Sequence, residues 1–216
     1  MNKINYQREL DKVIAAHEKN GEVPRLLLHV CCAPCSSYCL EYLTQYFEVT
    51  VFYYNPNISI KEEYLHRLNE EKRLVSQMPF KNPVTVVEGS YDPQVFFDAV
   101  KGLEHEPEGG KRCEKCFELR LNAAAQLAKD GGYDYFTTTL TISPLKNAQL
   151  LNTIGAAAGE SFGVPWLYSD FKKKEGYKRS IVLSREYDLY RQNYCGCVFS
   201  KSKTENEDQQ SGRRIL

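Results

Sequence analysis

Eight cysteines in 216 residues fall into three tight groups: Cys31, Cys32 and Cys35 with Cys39 a turn later, Cys113 and Cys116, and Cys195 and Cys197. Thiols spaced this closely in three distant stretches usually converge on one site, a metal, an iron–sulfur cluster or a redox dithiol. The fold therefore has to bring these stretches together. A chain of this length buries a core without cross-links. Its first residues, MNKINYQREL, lack the apolar region of a signal peptide, and no apolar run reaches the length of a membrane span. A cytoplasmic location is expected, where structural disulfides are rare, so the thiols point to metal or redox chemistry. Basic and acidic residues balance at 28 each. That balance argues against a generic nucleic-acid coat and leaves room for a local basic face.

The element pattern reads as α/β. Residues 4–19 form an amphipathic helix with Ile4, Leu10, Val13 and Ile14 on one stripe. Arg25 to Val30 is a short apolar run suited to a buried parallel strand, and it feeds directly into the first cysteine group. A helix follows to about Phe47, then a strand from Val49 to Tyr54, a charged helix over 59–76 and a strand from Pro83 to Val87. Next come a helix from Asp92 to Val100, one carrying Cys113 and Cys116 to Lys129, and a fourth strand from Tyr133 to Thr138. Ser143-Pro144 opens another helix, and Pro165 to Tyr168 is a short fifth strand. Alternation of this kind predicts a parallel sheet flanked by helices, with the ligand site beyond the carboxyl ends of the strands. Cys31, Asn55, Ser90 and Thr139 each follow a strand and are placed at that edge. The organisation is a helical leader over 1–22, one catalytic domain over 23–200 and a polar tail over 201–216, expected to be disordered.

The thiols divide by position. Cys31 and Cys32 stand where the first strand gives way to a helix, and Cys113 and Cys116 are one helical turn apart. Both pairs sit near helix N-termini, where the dipole favours thiolate. Together they supply a complete ligand set for a four-iron cluster or a structural zinc. Adjacent cysteines chelate one tetrahedral zinc awkwardly, and there are more thiols than a closed zinc site uses, so iron is favoured. Cys35 could ligate a second metal or be a reactive thiol, whereas Cys39 reads as a packed core cysteine. Cysteines one residue apart, as at 195 and 197, can form a strained, easily reduced disulfide suited to electron relay; free thiols or extra ligands are the alternatives.

Residues 171–200 carry Lys172, Lys173, Lys174, Lys178, Arg179, Arg185 and Arg191 against three acids, with Tyr177, Tyr187, Tyr190 and Tyr194 interleaved. That composition suits a surface that stacks bases and holds phosphates, or a solvated helix face with its tyrosines in the core. Asn55 and Asn57 bracket Pro56 and could reach a polar ligand, though Asn-Pro-Asn is also ordinary turn chemistry.

The segments LLLHVCCAPCS at 26–36, FYYNPNI at 52–58, RCEKCFELRL at 112–121, TTTLTISPLKN at 137–147 and GVPWLYSDFKKKEGYKRSIVLSREYDLYRQNYCGCVFS at 163–200 together resemble the QueH-type epoxyqueuosine reductases. The resemblance implies a Rossmann-like, HUP-type domain. It implies a four-iron, four-sulfur cluster on Cys31, Cys32, Cys113 and Cys116, a redox-active pair at Cys195 and Cys197, and an additional mononuclear iron for which Cys35 is a candidate ligand. The implied reaction reduces the epoxide of epoxyqueuosine at the tRNA wobble position to an alkene, with an external electron donor. Candidate substrate contacts are Asn55, Asn57, Lys146, Arg179, Arg191 and Tyr194. Candidate proton donors are Tyr54, His29 and Lys146, with His29 expected to pack inside the sheet. An ATP-dependent tRNA thiolase of similar fold would need a glycine-rich phosphate loop where this chain has VCCAPCSS. A zinc-stabilised RNA-binding module would leave Cys195-Gly196-Cys197 unexplained.

Overall fold

A computed structural model describes residues 4–200; the tail expected over 201–216 lies outside the described residues. Strand β1 (Arg25–Val30) is buried along all but its first residue. It pairs in parallel with β2 (Glu48–Tyr53) on one side and β4 (Tyr135–Thr138) on the other, and β3 (Val84–Glu88) extends the sheet beyond β2. The order β3-β2-β1-β4 is that of the first four strands of the doubly wound nucleotide-binding sheets. The chain moves outward from β1 to β3 and then crosses back to the far side of β1. The switch point therefore falls between the carboxyl ends of β1 and β4, where ligand sites form in such sheets.

Alternation along β1 divides the core in two. Leu26, Leu28 and Val30 pack with helices α1 (Tyr6–Asn20), α2 (Ala33–Leu43) and α3 (Lys61–Gln77) through Leu10, Ile14, Leu40, Leu43 and Leu68. Leu27 faces the opposite layer. There α5 (Lys111–Asp130) approaches closely through Ala124, Ala125 and Ala128, beside α6 (Ala148–Phe162). Each fully buried leucine contributes roughly 1.5–3 kcal/mol. Gly155 is required where α6 meets Trp166, because a Cβ there would lie 2.4 Å from the indole ring. A short helix, α4 (Pro93–Ala99), starts from an Asp92 cap.

Two features differ from the sequence expectation. The fifth strand is absent among the described residues. A single bridge joins Phe136 to Trp166 through two backbone bonds, from Phe136 N–H to the Pro165 carbonyl and from Leu167 N–H to the Phe136 carbonyl. Beyond it the Thr137 hydroxyl donates to the Leu167 carbonyl at 2.9 Å and the Ser169 N–H to Asn152 Oδ1. The helix expected from Ser143 begins only at Ala148, capped by Asn147; Thr139–Ile142 form a 3-10 turn before it. The basic, tyrosine-rich stretch contains a helix, α7 (Gly176–Glu186), that packs on α2. Gly176 permits this approach, since an added Cβ would meet the Tyr38 ring at 2.3 Å. No helix among the described residues is long and apolar enough to cross a membrane.

Candidate active site

Cys31 leaves the end of β1 and Cys32 caps α2, so the first cysteine group sits at the switch point. Backbone bonds from Cys35 and Ser36 N–H to the Cys32 carbonyl, both 3.1 Å, close the first helical turn. They bring the sulfurs of Cys31, Cys32 and Cys35 within 4.8 Å of one another. In this trio the thiols of Cys32 and Cys35 hydrogen-bond toward Cys31 and push its pKa well down, while their own rise. Negative charge in this trio is therefore favoured at Cys31, and a bound metal would take all three sulfurs as thiolates.

The other thiols form a second wall. Cys113, Cys116, Cys195 and Cys197 line one cavity of about 250 Å³ together with Arg112 and Arg120. Cys31 and Cys35 line an adjoining cavity of about 200 Å³, with Arg191, Gln192 and Tyr194 on its far side. Arg120, Lys146 and Cys195 belong to both linings, so they stand between the two chambers. Leu145, 79% exposed, also borders both.

The helix-dipole expectation fails at the second wall. Burial pushes Cys116 up to about 12 and raises Cys113, against the Gly109 N–H that donates to the Cys113 sulfur at 3.2 Å. Desolvation outweighs the dipole because the thiols lie inside the protein. All eight cysteines are free thiols, Cys195 and Cys197 included. Cys39 is fully buried among apolar side chains, with its sulfur 3.4 Å from the Cys35 carbonyl.

Of the candidate substrate contacts, Asn57, Lys146, Arg191 and Tyr194 line the cavities. Asn55 and Arg179 do not. Asn55 ties strand ends together, donating to the Val30 carbonyl at 2.9 Å and accepting from Arg120. Arg179 forks onto Glu41 of α2, which neutralises it in the α2–α7 packing. Much of the basic stretch is likewise paired: Lys174 with Asp11, Lys178 with Glu175, Lys172 with Asp170. Among the candidate proton donors, Lys146 alone lines the chambers; its ammonium form is favoured chiefly by the charge of Cys195. His29 is buried in β1, bonded to Thr138 Oγ1 and the Tyr54 carbonyl, and burial lowers it to about 3, so it stays neutral. Tyr54 stacks on Phe52. Ser90 is exposed, and Thr139 is buried with its hydroxyl unpartnered.

Sequence reasoning missed the arginines around the thiols. Arg112, Cys116 and Arg120 recur every fourth residue on α5 and so share its buried face. That spacing was readable, but charged residues on an amphipathic helix are ordinarily taken as its solvent side. Arg67 on α3 was also missed; it is 1% exposed and donates to the Cys195 carbonyl at 3.3 Å.

A family model described as QueH, epoxyqueuosine reductase, matches residues 26–203. The chain is 47% identical to an epoxyqueuosine reductase QueH of Staphylococcus epidermidis, covering 93% of this chain and 86% of the relative. It is 47% identical to that of Streptococcus pyogenes over 92% and 78%, and 38% identical to that of Thermotoga maritima over 81% and 89%.

Proposed function

From the premise that this chain belongs to the QueH family of epoxyqueuosine reductases, which are oxidoreductases, we propose that it reduces the epoxide of epoxyqueuosine in the anticodon loop of tRNA to the alkene of queuosine. The observation that carries this reading is the convergence of six thiols on two adjoining chambers at the switch point of a parallel sheet, with the Cys32 sulfur beside those of Cys31 and Cys35. The reaction takes two electrons and two protons and releases the epoxide oxygen as water. Redox thiols and metal-binding thiols in one site match that demand.

Cys31 and Cys32 from the first wall and Cys113 and Cys116 from the second would hold a four-iron, four-sulfur cluster. With Cys31 and Cys32 given to the cluster, the neighbouring Cys35 sulfur is the candidate ligand for an additional mononuclear iron beside it. The donor chemistry fits: soft thiolates suit iron–sulfur centres. Bound there, the cluster supplies single electrons and the separate iron a Lewis acid for the epoxide oxygen.

The chain's own residues do the rest. Lys146 holds a proton at Nζ beside both chambers and would give it to the departing oxygen. Tyr177 and Tyr194 offer aromatic faces to a splayed-out base, Gln192 and Asn193 offer amides to its edge, and Arg191 a charge to the backbone. Cys195 and Cys197 pass two electrons inward by closing to a disulfide, releasing two protons, and an external donor in the cytoplasm reopens it.

Anaerobically reconstituted protein, incubated with tRNA containing epoxyqueuosine and a reductant, should yield tRNA lighter by one oxygen atom on mass analysis of its nucleosides. An unchanged nucleoside, with iron and sulfide fully loaded, would refute the activity.

A further inference from the structure

Arg112 and Arg120 are among the most deeply buried side chains of the protein, 2% and 1% exposed. Guanidinium stays charged in any protein environment. A charge removed from water costs several kcal/mol unless it is paired. Neither arginine forms an ion pair among the described residues. Arg112 spends Nη1 on the carbonyls of Glu104 and Glu106 and lays its guanidinium 4.8 Å from the centre of the Phe199 ring. Its Nε and Nη2 have no partner. Arg120 bonds the Cys116 carbonyl through Nε and Asn55 through Nη1, and its Nη2 has no partner.

Both arginines line the chamber of Cys113, Cys116, Cys195 and Cys197, and Lys146 adds a third cation. Glu108, an exposed residue at the border, is the one carboxylate in that lining. Three buried N–H nitrogens without acceptors, in a cation-rich and thiol-lined cavity, describe a site whose anion comes from outside the polypeptide. The carbonyls of Glu104 and Glu106 fix Arg112, so its free N–H groups cannot turn to water. Arg120 is fixed likewise by Asn55.

Resting on the cluster reading above, we infer that Arg112 and Arg120 donate hydrogen bonds to the sulfur atoms of the iron–sulfur group and raise its reduction potential. Hydrogen bonds to sulfur and nearby positive charge both stabilise the more negative, reduced state. The arginines thereby make the cluster easier for a thiol donor to fill.

The test uses the full chain, reconstituted anaerobically, with iron and acid-labile sulfide measured before a spectroelectrochemical titration. Arg112→Gln and Arg120→Gln should each load iron and lower the reduced-to-oxidised ratio at fixed potential about tenfold, which is 59 mV for a one-electron couple. Arg120→Lys, which keeps charge without the fork, should fall between wild type and Arg120→Gln. Midpoints identical to wild type in loaded variants overturn the inference. If Arg120→Gln folds by circular dichroism but takes up no iron, loading restored in Arg120→Lys supports it. Loss of iron in both Arg120 variants means packing and not charge is responsible, and overturns it. Wild-type protein without iron or sulfide would instead remove the cluster reading itself, a result that metal analysis alone separates from the others.

Discussion

The thiols of the β1–α2 junction and those of residues 195–197 face adjoining chambers, yet they are held in opposite ways. Cys31 and Cys32 are positioned by backbone: a central strand on one side, a helix cap on the other. Ser36, next to Cys35, holds its hydroxyl 3.1 Å from the Ala33 carbonyl and 2.8 Å from Glu71 Oε2 of α3, both inside the core. Residues 187–197 have no helix or strand. They are strapped onto α3 by side chains: Arg73 bonds the carbonyls of Tyr187 and Asp188, Glu70 accepts the Tyr190 N–H, and Arg67 bonds the Cys195 carbonyl. The first wall moves only if the sheet unfolds. The strap is fastened by polar contacts that run from the partly exposed Arg73 to the buried Arg67, and by Leu189 packed with Leu74 and Met78; with no helix or strand of its own it is the kind of segment that opens locally. A ligand set has to stay still. A relay dithiol has to be met by its donor, and Cys197 is buried, so its exchange requires such an opening.

The contrast can be broken first at the sulfurs. Cys31→Ser or Cys113→Ser should lose bound iron and reduce activity to background, measured by metal analysis and tRNA mass; full iron in either would end the ligand assignment. Cys197→Ser should keep its iron and lose turnover with a thiol donor at least about tenfold, while a strong chemical reductant restores a single turnover. Normal multiple turnover would show the strap is no relay.

A pH measurement sharpens the difference in anchoring. Burial pushes the Glu71 carboxyl up to about 8, opposed by the Ser36 hydroxyl, so it is protonated in the folded protein at neutral pH. The folded state then holds a proton that the unfolded state has lost. Stability contributed by Glu71 is fully present below about pH 4.5 and falls as pH rises toward 8, by at most about 1.4 kcal/mol per unit. Denaturant titrations of unloaded protein should show this slope, and Glu71→Gln should flatten it. An unaltered slope in the variant would locate the dependence elsewhere.

Smaller effects test the strap. Gly196 has φ +113°, and a Cβ there would lie 2.8 Å from the Ile58 side chain. Gly196→Ala should cost roughly 1–3 kcal/mol or free the strap, seen as faster alkylation of Cys197 while Cys32 keeps its wild-type rate. Equal acceleration of both would mean the walls open together. Smallest is Arg73→Ala, worth about 1 kcal/mol or less because the side chain is partly exposed. It too should raise the alkylation rate of Cys197 selectively.

How much of this the sequence revealed depends on what each residue answers to. Leu26, Leu28 and Val30 sit in a run too apolar and too short for anything but a buried strand, so the sheet and the place of Cys31 were legible. The turn spacing of Cys113 and Cys116 likewise put both on one helix face. Their division from Cys31 and Cys32 by Arg120 and Lys146 was not legible, because helical period gives a face but not what faces it across a cavity. Nor was the fate of Arg179, whose charge meets Glu41 from 138 residues away. The strand expected around Trp166 stops at one bridge because the Leu167 carbonyl and the Ser169 N–H turn to the side chains of Thr137 and Asn152.

The fastening of the strap grips main-chain atoms at positions 187, 188, 190 and 195. Arg191 and Tyr194 add side-chain moorings, on Ser184 Oγ and against the Arg67 guanidinium. Gln192 and Asn193, which also face the chamber, are the positions that can be exchanged over evolutionary time without redesigning the mooring. A lineage could retune what it recognises there while Cys195 and Cys197 stay in register.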